Sequence, residues 1–120
     1  HINTMLIRQN LPPQFTFVHF SGIEEKDTPQ LLEELVKLFP HEISINECDK
    51  NGKTALMHAA ESNCCENFLK LIEMFKDTID WNQHNEQGMN LLMIAAASNK
   101  DTSAIISLLL DLILNGTWQC

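Results

Sequence analysis

The chain turns on Asp49-Lys50-Asn51-Gly52-Lys53-Thr54-Ala55-Leu56-Met57-His58-Ala59-Ala60 and on its echo, Asn85-Glu86-Gln87-Gly88-Met89-Asn90-Leu91-Leu92-Met93-Ile94-Ala95-Ala96. A shift of 36 positions, Gly52 to Gly88, also sets Leu56 on Leu92, Met57 on Met93, Ala59 on Ala95, Ala60 on Ala96 and Asn63 on Asn99. Ile45-Asn46 falls on Trp81-Asn82 in the same frame. Self-similarity at a period of roughly 20–50 residues marks stacked units, none of which can bury its apolar face alone.

Each unit reads as a tight turn, a short helix, a second turn, a longer apolar helix and a return loop. Gly52 and Gly88 sit where the tip turn needs positive φ, which glycine adopts without steric cost. Thr54 and Asn90 follow as side chains able to cap the short helix. Ala59-Ala60 and Ala95-Ala96 are small enough for neighbouring helices to approach closely, and Asn63 and Asn99 are expected as left-handed caps at the helix ends. Met57 and Met93 are expected in the core.

The long helix of the middle unit carries Phe68, Leu69, Leu71, Ile72, Met74 and Phe75, and the frame matches it to the earlier helix that carries Leu31, Leu32, Leu35, Val36, Leu38 and Phe39. Asp27-Thr28-Pro29 reads as the start of the earlier helix, a capping side chain followed by proline in the first turn, and Pro40 as its end. One extra residue near Lys100-Asp101 moves the last long helix to about Thr102–Leu114 and brings Trp118 onto Trp81. Ile45, Trp81 and Trp118 then form one series that closes the core between units.

The first residues are less regular. Ile2, Met5 and Leu6 share a helical face that Pro12-Pro13 would end. Phe15 to Phe20 alternates like a strand, yet the frame sets Val18–Lys26 on the short helix of the next unit. Two readings stay open there: the first helix of a degenerate capping unit, weakened by Gly22, or an extended lid.

Composition narrows the function classes. At 120 residues and 44% hydrophobic the chain is one domain's worth of globular protein. A net charge of −8 excludes a phosphate-binding surface, so no nucleic-acid partner is expected. Glu24 to Asp49 holds eight acids against Lys26 and Lys37, either a solvated face or a surface for a basic partner. No basic start followed by an apolar run marks a signal peptide. Ala104 to Leu114, interrupted by Asp111, falls short of the ~20 residues that span a bilayer, so no membrane insertion is expected. Cys48, Cys64, Cys65 and Cys120 fit no zinc spacing and read as reduced thiols of a protein of the cytoplasm or nucleus. No metal and no cofactor is expected.

From Asp27 to about Trp118 the residues resemble the ankyrin repeat. Its pattern, Asp-x-x-Gly-x-Thr-Pro-Leu-His-x-Ala-Ala, is met by Asp49, Gly52, Thr54, Leu56, Ala59 and Ala60, and again by Gly88, Leu92, Ala95 and Ala96. The resemblance implies an all-α fold, an ankyrin-repeat solenoid of stacked helix–turn–helix units with projecting turn loops. It divides the chain into 1–26, an extension or degenerate capping half-repeat; 27–48, the outer helix and loop of a first repeat; 49–84, a repeat; and 85–120, a repeat that reads as cut from a longer array. Pro-Leu-His becomes Ala55-Leu56-Met57 and Leu91-Leu92-Met93, Asp becomes Asn85, and Thr becomes Asn90. The family's histidine links neighbouring turns, so the tips are expected to be less firmly tied here.

The resemblance further implies an intracellular protein–protein interaction module, a scaffold, adaptor or inhibitor, including an effector of an intracellular pathogen or virus. Carried over position by position, the partner-binding residues are Lys50, Asn51, Lys53, Glu61 and Ser62, and then His84, Glu86, Gln87, Met89, Ala97 and Ser98. Met89 is expected to be an apolar side chain exposed on a tip. Asp80-Trp81-Asn82 resembles the site at which a cytosolic asparaginyl hydroxylase modifies ankyrin proteins, which makes Asn82 a candidate modification site beside the plainer reading of a loop hydrogen bond. The alternative is a targeting or regulatory domain of a larger enzyme or channel whose catalytic part lies outside this chain. His58 and His84 lie near Cys48, Cys64 and Cys65, but no third group at a recognisable spacing would orient a base. They read as surface or partner-contact residues, with no catalytic residue and no enzyme activity expected.

Overall fold

Thr54 Oγ1 and Asn90 Oδ1 each accept the backbone N–H three residues on, from Met57 at 3.3 Å and from Met93 at 2.9 Å. Each thereby satisfies a donor that the first helical turn cannot, and each starts a short helix at the position expected. The structure, a computed structural model, describes residues 11–119. The expected helical face of Ile2, Met5 and Leu6 and the thiol of Cys120 lie outside those residues.

Six helices run through the described residues: α1 (Pro13–Val18), which widens into a π turn at His19–Ile23; α2 (Pro29–Leu38); α3 (Ala55–Glu61); α4 (Cys65–Phe75); α5 (Leu91–Ala97); and α6 (Ser103–Leu114). No strand occurs among these residues. The short helices form one layer, α3 between the π turn and α5, and the long helices form the other, α4 between α2 and α6. Each short helix also packs on the long helix that follows it. Leu32, Leu35, Phe68, Leu71, Ile105 and Leu109 are buried at the centre, each worth about 1.5–3 kcal/mol relative to exposure.

Ala55, Ala59 and Ala60 are fully buried, and the joint around Met57 and Leu91 leaves only about 10 Å³. Trp118 is buried, and its ring stacks on Trp81 with centroids 5.9 Å apart. That contact supports the frame, inserted residue included. Asn63 ends α3 with φ +56, the left-handed cap expected of it.

Several expectations need correction. Phe15 to Phe20 is helical rather than a strand. The buried residues of α1 and its π turn, Thr16, Phe17, Val18, Ser21 and Gly22, recur at helical spacing, and Ser21 Oγ donates to the Phe17 carbonyl at 2.7 Å. Burial of one helical face overrides the strand propensity of the run. Of the two readings left open, the helix is the one observed, and it begins at Pro13.

Asn99 does not take the left-handed conformation. The extra residue lengthens that turn: Ser98 is extended and its hydroxyl donates to the Glu61 carbonyl, while the Thr102 hydroxyl donates to Ala95, both at 2.6 Å. Met93 is half exposed, at 50%, whereas Met57 is buried. Met93, Ala96 and Ala97 share the face of α5 that no described residue covers, while α5 itself covers Met57 on α3. Thr28 precedes α2 without a side-chain cap bond. Its hydroxyl donates to the Phe20 carbonyl, and the Asp27 carboxylate instead accepts the Asn67 N–H in the first turn of α4.

Candidate functional site

Gly52 and Gly88 adopt φ +77 and +76, and the two tips close with the same set of bonds. Asp49 Oδ1 accepts the N–H groups of Asn51 (2.9 Å) and Lys53 (3.0 Å). Asn85 Oδ1 accepts those of Gln87 (3.0 Å) and Met89 (2.9 Å). An amide oxygen serves this turn as well as a carboxylate oxygen, so the change from Asp to Asn leaves the geometry intact. The Glu86 N–H donates to the Asn51 carbonyl at 3.3 Å and joins the tips to each other.

His58, expected on the surface, is buried beneath the π turn, and its Nε2 lies 2.7 Å from Asp49 Oδ2. The tip at Asp49 is therefore tied to its own short helix. Burial works against the ionised form of Asp49, but the bonds with His58, Lys53 and Asn51 outweigh it and hold the carboxyl below its usual range.

Because the folded carboxyl is the stronger acid, its stabilisation is complete above about pH 4 and is lost as pH falls through the folded pKa. Asp49→Asn should keep the turn bonds, as Asn85 does, and lose the charged contact with His58. Urea unfolding at neutral pH should then show a deficit of about 0.5–1.5 kcal/mol. The deficit should shrink as pH falls below about 4 and on through the folded pKa. A gap of equal size at neutral pH and at the acid limit would rule this account out.

The expected binding residues divide into two groups. Lys50, Asn51, His84, Glu86, Gln87 and Ala97 are exposed. Lys53 is tied to Glu61 by a 2.8 Å ion pair, and the Glu61 carbonyl accepts from Ser98. Ser62 is half-buried. Met89 is a correction: it is half-buried and packs on the core rather than standing free on the tip. Asn82 is exposed, and its N–H donates to Asp80 Oδ1. Its equivalent Asn46 bridges units instead, donating to the Thr78 carbonyl and accepting from the Asp80 N–H, both at 2.8 Å.

Beside the first tip lies a groove of about 700 Å³ that the sequence did not foretell. Phe15, Val18 and Ile23 form one wall, Glu47 to Asn51 the other, and His58 also lines it. Gln14 spans from α1 to the loop, its side chain both donating to and accepting from the Ser44 backbone (3.0 and 2.7 Å). Phe15 and Ile23 are 54% and 44% exposed, a costly placement for two large apolar side chains. The signal was present in the run Phe15 to Ile23, but only its packing shows which apolar residues stay outside.

Among the described residues no group of His, Cys, Asp and Glu is arranged to hold a metal ion. Cys48 lines the groove near His58, but its Sγ lies 3.7 Å from Gln83 Nε2. Burial first, and then the nearby Asp27 carboxylate, push the Cys64 and Cys65 thiols up. Alkylation of the folded chain should mark exposed Cys48 and reach buried Cys64 only on unfolding. Mass spectrometry finding Cys64 labelled as fast as Cys48 would contradict the packing. No helix among the described residues is long and apolar enough to cross a membrane.

No protein-family model and no curated protein matches the sequence. The fold is similar to a chain in the solved complex of the predatory endopeptidase Bd0816 from Bdellovibrio bacteriovorus with the immunity protein Bd3460. The TM-score is 0.65 at 20% identity, over 79% of this chain and 44% of that one. This chain thus spans less than half the length of its structural neighbour. At that identity the likeness is one of fold.

Proposed function

We propose that this chain is a diverged ankyrin-repeat module, a solenoid of two full repeats behind a capping half-repeat, that binds a partner protein without catalysing a reaction. The observation that carries this reading is the pair of tips, closed by the same bonds around Asp49 and Asn85 and joined to each other. Fixed in this way, they hold Lys50, Asn51, Glu86 and Gln87 exposed with no packing task of their own. A surface already ordered before binding loses less entropy when a partner arrives. The similar chain belongs to a complex of two proteins, which agrees with a binding role.

The test is retrieval from cell lysate by the wild type and two sets of variants. Lys50→Glu with Glu86→Lys and Gln87→Lys should weaken the partner's binding by about 2 kcal/mol or more, the scale of a hot spot. Each of these surface changes should move stability by no more than about 0.5 kcal/mol. Glu33→Lys with Lys37→Glu, on the outer helix α2, should leave binding unchanged. A partner lost with the α2 variant and kept with the tip variant would overturn this assignment.

A further inference from the structure

We propose that the groove between α1 and the first tip, rather than the tips alone, receives an amphipathic segment of the partner protein that sets large apolar side chains against Phe15 and Ile23 and a lysine or arginine against Glu47. This rests on the binding-module reading and names the partner's chemistry.

Three observations carry it. The α1 wall presents two large apolar residues, about half exposed, on a single groove. On the opposite wall Glu47 is exposed with no ion-pair partner among the described residues, while Asp49 beside it is held by His58 and Lys50 is the one cation that lines the groove. Glu47 and Asp49 are two of the eight acids that the segment Glu24 to Asp49 carries against two lysines, in a chain of net charge −8. Complementary charge would draw a basic segment in and fix its direction, while apolar burial would hold it.

A small polar ligand fits less well. Such a ligand is oriented by a few convergent polar groups, and among the described residues every buried side-chain nitrogen and oxygen already has a partner. The two hydrogen bonds between the Gln14 side chain and the Ser44 backbone set the spacing of the walls without any occupant.

The experiment is selection of a displayed library of random 12-residue peptides on the full chain, followed by titration of the enriched peptides. Sequences with at least two large apolar residues and an excess of Lys or Arg should emerge. Phe15→Ser with Ile23→Ser should weaken them by about tenfold or more, and Glu47→Lys by a similar factor that shrinks at high salt. All three positions are exposed, and unchanged melting curves would confirm that the variants fold. Enrichment of acidic or purely polar peptides, or no enrichment at all, would overturn the proposal. So would tight binding that survives the double change. Peptides lost with the Lys50, Glu86 and Gln87 variant but kept with the groove variants would sink the groove and leave the binding module standing. Loss of the retrieved partner with the α2 variant alone would place binding on the outer helix and overturn the groove and the tip assignment together.

Discussion

Asn67→Ala is expected to lower stability by about 3–5 kcal/mol, the largest effect of any single change in this chain. Asn67 is fully buried on α4, and its side chain holds the first unit to the second. Its Oδ1 accepts the Thr28 N–H at 2.7 Å. Its Nδ2 shares its two hydrogens among the carbonyls of Phe20 (3.1 Å), Ser21 (3.0 Å) and Lys26 (3.0 Å). Four backbone groups, from the π turn to the start of α2, would lose this partner at once. Each buried group left without one costs roughly 1–3 kcal/mol, less where water can enter. Asn67→Leu would restore bulk and none of the bonds, so it should rescue little. A melting temperature lowered by on the order of 10–20 °C would bear this out. A loss below about 1 kcal/mol would mean that the hub contributes nothing beyond its shape.

Gly22→Ala should cost about 2 kcal/mol or more, although alanine is the better helix former by about 1 kcal/mol. A Cβ at Gly22 would overlap the His58 carbonyl carbon and oxygen and lie 2.6 Å from the Ala59 nitrogen. These are backbone atoms of α3 and cannot swing aside as a flexible side chain would. The π turn would have to draw away from α3, opening the layer that buries Phe17 and His58. Gly88→Ala is the natural comparison, since nothing lies within 4 Å of its added methyl and only the positive φ resists. Its cost should stay near 1 kcal/mol. Equal urea midpoints for the two variants would refute the close approach at Gly22.

Gly22 also shows where reading residues in order stops working. In sequence it reads as a weakness in a helix; in the fold it permits a close approach between the π turn and α3. Asn67 gave no comparable signal, a lone amide in an apolar helix whose four partners lie about 40 or more positions away. Phe15 and Ile23 belong to the same run as Phe17 and Val18, yet Phe15 and Ile23 stand exposed on the groove, Val18 lines it while itself buried, and Phe17 lies wholly in the core.

The features legible in the residue order are those whose bonds close within a few positions. The tips at Gly52 and Gly88, the caps at Thr54, Asn90 and Asn63, and the helix starting at Pro29 need only local backbone geometry. The stacking of Trp118 on Trp81 was reachable by counting, because a repeat carries its neighbour's contacts with it. Packing across units decided the rest. Met57 and Met93 hold equivalent positions, and one is buried and the other half exposed because α5 covers the first. His58 became the partner of Asp49 because the π turn closed over it. Burial depends on what a face meets, and the face it meets is set by residues far along the chain that local propensity does not register.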